Sequence, residues 1–213
     1  GGPGGFGIAA QIDGVTIGTG ALAEPPDRRQ VRIGGVAHAA SALAEYLSVI
    51  WLTPAMDRLF MDSAGDRRRF LDRLTLALAP GHAVHSTRYE AAMRARNKLL
   101  ADKDRAWDEA WLGALEAQMA EHGAAIHAAR TGLVTQLGEA LAAQPEGPFA
   151  RPQQALSDWE GADRPLEQAL REGRRRDAGA GRTLAGPHRS DFLVTHQAKG
   201  QAAALCSTGE QKA

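Results

Sequence analysis

The chain has little of what would place it outside the cell or across a membrane. It carries one cysteine, Cys206, in 213 residues, which excludes an intramolecular disulfide and predicts a reducing compartment. It has no apolar run of bilayer length, and its opening, GGPGGFGIAAQ, lacks the basic start and apolar stretch of a signal peptide. The expectation is a soluble cytoplasmic protein with no membrane partner. Net charge is also missing: 25 basic and 25 acidic residues cancel, so any nucleic-acid affinity must come from a local patch. Lysine is scarce, with 4 against 21 arginines, a ratio that reads as coding bias rather than selection for guanidinium chemistry. The first residue is Gly rather than Met, and the last falls just inside a predicted helix start. An internal fragment is the expectation.

At 44% hydrophobic and 23% charged, the chain has the composition of a globular protein with one or two cores. Three zones follow in order. Over residues 6–52, FGIAAQIDG, VTIGTGA, VRIGG and LSVIWLT read as strands separated by Asp13-Gly14 and Pro25-Pro26 turns. Between Pro80 and Pro145 there is no proline, and Trp107, Trp111, Leu115, Met119 and Ile126 recur at helical spacing, which predicts two or three helices with a corner at ADKDR, 101–105. After a Gly- and Pro-interrupted stretch, RTLAG and SDFLVTHQ again read as strands. The pattern is α/β: a sheet domain interrupted by a helical lobe. Its divisions fall at residues 1–62, 63–181 and 182–213.

Most local signals have a plain structural reading. GPGGFG at 2–7 fits a dinucleotide-loop pattern, but no strand precedes it and no helix follows. His82 and His85, like His122 and His127, have no acidic or cysteine partner at metal-ligand spacing and are expected to face solvent. Trp107 and Trp111 are expected in the core rather than as a base-stacking platform. REGRRRDAGAGR, at 171–182, is Gly-rich and reads as a mobile loop.

Three segments could carry chemistry. GDRRRFLDRL opens a helix capped by Asp62 or Ser63, with Phe70, Leu71, Leu74 and Leu78 as its buried face; Arg67, Arg68, Arg69 and Arg73 on the rest could serve phosphate, DNA or ion pairs. In LAGPHRSDFLV, Gly186-Pro187 forces a turn that would display His188 and Arg189 to an anion at the mouth of a strand. In LCSTGEQKA, Ser207, Thr208, Gly209 and Glu210 stop a strand and start a helix, and a helix start favours anions.

VIWLTPAMDRLFMDSAGDRRRFLDRL, YEAAMRARNKLL, LAGPHRSDFLV and CSTGEQKA occur in that order. From about residue 29 onward, this succession closely resembles the RecF family of bacterial DNA replication and repair proteins. The resemblance implies an ABC-type ATPase head akin to those of SMC and Rad50 proteins, with a short helical lobe in place of their coiled-coil arms. It further implies that Ser207, Thr208, Gly209 and Glu210 form the signature motif that meets the γ-phosphate of ATP held by the other subunit of an ATP-dependent homodimer. Thr208 departs from the Ser-Gly-Gly of most such heads.

The partners implied are DNA near single-strand/double-strand junctions and the mediators RecO and RecR, which together help load RecA at gaps. The intact protein would be a weak, DNA-stimulated ATPase using ATP and Mg²⁺. No G-x-x-x-x-G-K-[ST] occurs in the 213 residues, and in the family the P-loop lies upstream and the Walker B strand downstream. The chain alone is therefore expected to be inactive, with no cofactor and no catalytic or metal-binding residue of its own. Two alternatives stay open: another SMC- or Rad50-like head, as in a nucleolytic defence system, or a non-enzymatic helical scaffold whose 63–143 region binds a partner.

Overall fold

Two-residue turns set the first sheet. Strand β1 (Phe6–Ile12) runs into β2 (Val15–Ala21) through Asp13 and Gly14, whose φ angles of 48° and 79° give the turn that matches strand twist. Antiparallel pairing continues to β3 (Arg29–Ile33) and, through Gly34-Gly35, to β4 (Val36–His38), in the order β1-β2-β3-β4. Ile17, Val31 and Ile33 form its buried side. The computed structural model describes residues 4–21, 29–50, 53–102, 106–145, 147 and 151–212. The Pro25-Pro26 turn therefore lies outside the described residues. So do Trp51 and Leu52; residues 47–50 of LSVIWLT, expected as strand, have no regular structure.

The chain divides into two compact units, Gly1–Val49 and Ile50–Ala213. Helix α1 (Ala64–Leu78) opens the helical part of the second. Ser63 caps it, accepting a hydrogen bond from the Asp66 amide at 3.2 Å. Its buried positions are Leu71 and Thr75; Leu78, expected inside, is exposed because the core falls on the 71–75 side. The proline-free span is two helices, α2 (His82–Ala101) and α3 (Glu109–Ala142), the latter about 50 Å long at 1.5 Å per residue. They run antiparallel, since His85 meets His122 and Arg96 meets Glu116. The corner falls where the sequence places it, with residues 103–105 outside the described set.

Asp108 caps α3 by accepting from the Trp111 amide at 2.9 Å, and the apolar stripe that packs on the other helices sets which face turns inward. That orientation buries Leu112, Leu115, Met119 and Ile126 and leaves Trp111 55% exposed, so the expectation of Trp111 in the core is corrected. The histidine expectation is corrected too: His82 and His122 are buried, and His85 Nδ1 lies 3.2 Å from His122 Nδ1.

The 145–181 stretch contains a strand and a helix that the sequence reading missed. Strand β5 (Pro152–Ser157) begins with proline, which is tolerated because β5 is the edge of a three-stranded sheet. It pairs with β6 (Asp191–His196), which pairs with the short β7 (Gln201–Ala202), all antiparallel. The expected mobile loop at 171–182 is helix α4 (Leu166–Ala180), closed by Gly181 in the left-handed conformation at φ 66°. Its glycines misled the reading; Ala169, Leu170 and Asp177 are buried against the other helices and outweigh them. RTLAG is not a strand, although Thr183 and Ala185 are buried. Leu71, Leu133 and Phe192 form a second cluster, where α1 and α3 meet the sheet. No helix among the described residues is long and apolar enough to cross a membrane.

Candidate functional site

The turn ahead of β6 is held from every side. Gly186 sits at φ 127°, and a Cβ there would lie 2.3 Å from the Tyr89 hydroxyl, so only glycine fits. Pro187 is fully buried, and the Arg189 amide closes the turn on the Gly186 carbonyl at 2.9 Å. His188 was expected on display but turns inward. Its Nε2 donates to the Thr183 carbonyl at 3.0 Å, so Nδ1 must accept from the Tyr89 hydroxyl at 2.8 Å. Burial above all, with Arg189, Arg68 and Arg130 nearby, pushes the His188 pKa down to about 4, and the ring is neutral at pH 7. Arg189 itself is exposed.

Helix α1 leans its arginines on the same turn. Arg67 makes a two-pronged pair with Asp191, at 2.9 and 2.7 Å, and donates to the carbonyls of Phe60 and Asp62. Arg68 Nη1 donates to the Ser190 carbonyl at 2.8 Å. Burial first, and then the neighbouring Arg130 and Arg189, lower the proton affinity of Arg68. Arg69 is exposed and paired with Asp66, while Arg73 Nη1 lies 4.0 Å from the Met56 sulfur. The four arginines thus do not form one basic face.

Behind the turn lie residues that the sequence reading did not single out. Arg130 forks onto Asp72, at 2.8 and 2.9 Å, and donates to the Pro187 carbonyl at 2.7 Å and the Ser190 hydroxyl at 3.1 Å. Burial opposes ionisation of Asp72, but hydrogen bonds from His82 and Arg130 outweigh it and hold its pKa below the usual carboxylate value. Deeper in, fully buried Arg96 bonds Glu116, Asp177, the Thr183 hydroxyl and the Leu170 carbonyl at 2.7 to 3.0 Å. Arg174 also forks onto Glu116, at 2.9 and 2.6 Å. A signal was present: Arg96, Glu116 and Arg130 interrupt apolar stripes at helical spacing, where a lone charge demands a partner.

The terminal run forms a reciprocal cap. Ser207 N and Oγ both donate to Glu210 Oε2 at 2.9 Å, the Glu210 amide approaches Ser207 Oγ at 3.4 Å, and Lys199 pairs with the other carboxylate oxygen. Lys199 chiefly, with Ser207, brings the Glu210 pKa down to about 2. This cap opens α5 (Thr208–Lys212). Ser207, Thr208 and Gly209 are exposed, and a Cβ on Gly209 would meet nothing within 4 Å. Among the described residues, no group of three or more His, Cys, Asp or Glu could hold a metal ion.

No family model matches the chain. Among curated proteins, the DNA replication and repair protein RecF of Mesorhizobium japonicum is 50% identical over 230 aligned positions, covering 100% of this chain and 60% of that protein. RecF of Brucella suis is 45% identical, covering 99% of this chain and 58% of its own length. Two solved structures share the fold. One, of the recombination mediator RecF with ATP, has a TM-score of 0.73 at 20% identity and covers 93% of this chain and 55% of its own. The other, of RecF-ATPrS, has a TM-score of 0.77 at 17% identity and covers 98% of this chain and 60% of its own. The chain spans about 60% of the length of the Mesorhizobium relative, and over that span it belongs to the RecF family of DNA replication and repair proteins.

Proposed function

We propose that this chain is part of an ATP-dependent DNA-binding protein of recombinational repair, and that it supplies the signature half of an ATP site completed by a second subunit. The observation that carries the reading is the exposed Ser207-Thr208-Gly209 segment at the start of α5, in a chain of this family and fold. Gly209 faces open space, so a partner subunit's nucleotide can approach the backbone closely. The Ser207 hydroxyl rests on Glu210. A hydroxyl rotates freely, so a γ-phosphate oxygen can replace the carboxylate as its acceptor. No P-loop lies in the 213 residues; ATP and Mg²⁺ would be held first by the P-loop of the full-length protein, and this chain alone would turn over no ATP.

On this reading, residues 63–181 are the lobe that stands in place of coiled-coil arms. The intact protein dimerises on ATP, binds DNA at single-strand/double-strand junctions, and works with RecO and RecR to load RecA. Ser207→Arg in the full-length protein tests the reading, because a large side chain at the helix start would exclude the phosphate sterically. ATP should still bind the P-loop half-site, while ATP-driven dimerisation, hydrolysis and ATP-stimulated DNA retention are lost together. Dimerisation and turnover at the parent rate would instead make Ser207 an ordinary helix cap.

A further inference from the structure

Charge near the Gly186–Asp191 turn is matched group by group, with two exceptions among the described residues. Arg67 is satisfied by Asp191, Arg69 by Asp66 and Arg130 by Asp72. His188 is neutral at pH 7. Arg68 and Arg189 alone of this group form no ion pair with a carboxylate among the described residues, and the guanidinium of Arg68 is bonded to the carbonyl of Ser190, the residue next to Arg189. Arg68 is anchored and half-buried and Arg189 is exposed, and the two lie near enough that the Arg189 charge lowers the proton affinity of Arg68. Such a pair repels itself unless an anion lies against it.

We propose that Arg68 and Arg189 form a two-guanidinium receptor for a phosphate group. Planar forks that present several N–H donors suit the tetrahedral oxygens of phosphate better than a point charge does. The bond to Ser190 fixes the Arg68 guanidinium, and the turn fixes the backbone that carries Arg189; both reduce the ordering cost of binding. A DNA backbone and a nucleotide present the same group; the choice between them rests on the function proposed above, whereas the receptor geometry does not.

The test uses the full-length protein with single-stranded DNA, ATP and inorganic pyrophosphate as separate probes. Arg189 is exposed, so Arg189→Gln should fold normally, and Arg69→Gln serves as a control because Arg69 is already paired. Loss of one phosphate contact should weaken DNA binding about three- to tenfold for every sequence and flatten the logarithmic salt dependence by about 0.7, the single-strand value. Arg69→Gln should change neither by as much as about twofold. A loss confined to ATP would assign the receptor to nucleotide instead. If both variants behave alike, or if Arg189→Gln leaves all three probes unchanged in a parent that binds them, the receptor does not exist. If the parent binds neither DNA nor ATP, the function above fails by itself. Pyrophosphate then decides the receptor alone: a titration weakened by Arg189→Gln keeps it, and an unchanged one removes it.

Discussion

Two sets of arginines, alike in the sequence, end in opposite situations. Arg96 and Arg174 are buried between α2, α3 and α4, with Glu116 and Asp177 as buried partners and Glu109 as an exposed partner of Arg174. At the turn ahead of β6, Arg68 bonds a carbonyl, and neither it nor Arg189 pairs with a carboxylate among the described residues. The difference teaches that arginine count says little about binding. What matters is whether a carboxylate arrives from elsewhere in the chain, and those partners come from 20 to 81 residues away. A sealed set defines which helices pack together; an unsealed one leaves charge for a ligand.

Removing one member should break the sealed set most severely. Arg96→Met leaves Glu116 and Asp177 buried with less compensation and should cost about 3–5 kcal/mol, read as a lower midpoint in urea unfolding. A cost near that of a surface substitution would show that water enters the network and that the two regions are less different than they look. Leu112→Ala, in the same lobe, gives the apolar scale at about 2–5 kcal/mol, and circular dichroism melts should place it beside Arg96→Met.

Acid should act on the turn region. His188 has a folded pKa of about 4 against 6.5 unfolded, so between those values the unfolded chain binds the extra proton. Stability is then full above pH 6.5 and falls as the pH drops towards 4, by an amount on the order of 2–3 kcal/mol. Asp72, with its lowered pKa, loses stability in the same direction at lower pH. His188→Gln should remove the loss between pH 6.5 and 4 from denaturant titrations; an unchanged slope would mean that the ring is not held neutral.

Gly186→Ala adds a carbon 2.3 Å from the Tyr89 hydroxyl at a left-handed φ, and should cost about 1–3 kcal/mol. Combining it with Tyr89→Phe should recover part of that cost in a double-mutant cycle; strictly additive losses would rule out the clash. Last come the exposed side chains. Trp111→Ala and Arg189→Gln should each shift stability by no more than about 0.5 kcal/mol, which for Trp111 would separate an outward ring from a core one in a single unfolding experiment.

Local chemistry was readable in the chain. The Asp13-Gly14 hairpin, the start of α1 at Ser63, the α2–α3 corner and strand β6 each depend on residues within a few positions of one another: a turn dipeptide, a capping hydroxyl or an apolar run. Membership of the RecF family was readable too, from four short segments in order. Helix α4 was hidden because its glycines and arginines resemble a loop until Leu170 and Asp177 find their partners. The face of α3 that turned inward, with Leu112 in and Trp111 out, depended on its packing against residues of other helices such as Tyr89 and Leu170. Which arginine is spent on a carboxylate and which is left for phosphate is a matter of pairs such as Arg130 with Asp72, 58 residues apart. Sequence fixes the charges and the local hydrogen bonds, but only the folded chain brings distant groups to within 3 Å, where burial makes an ion pair obligatory.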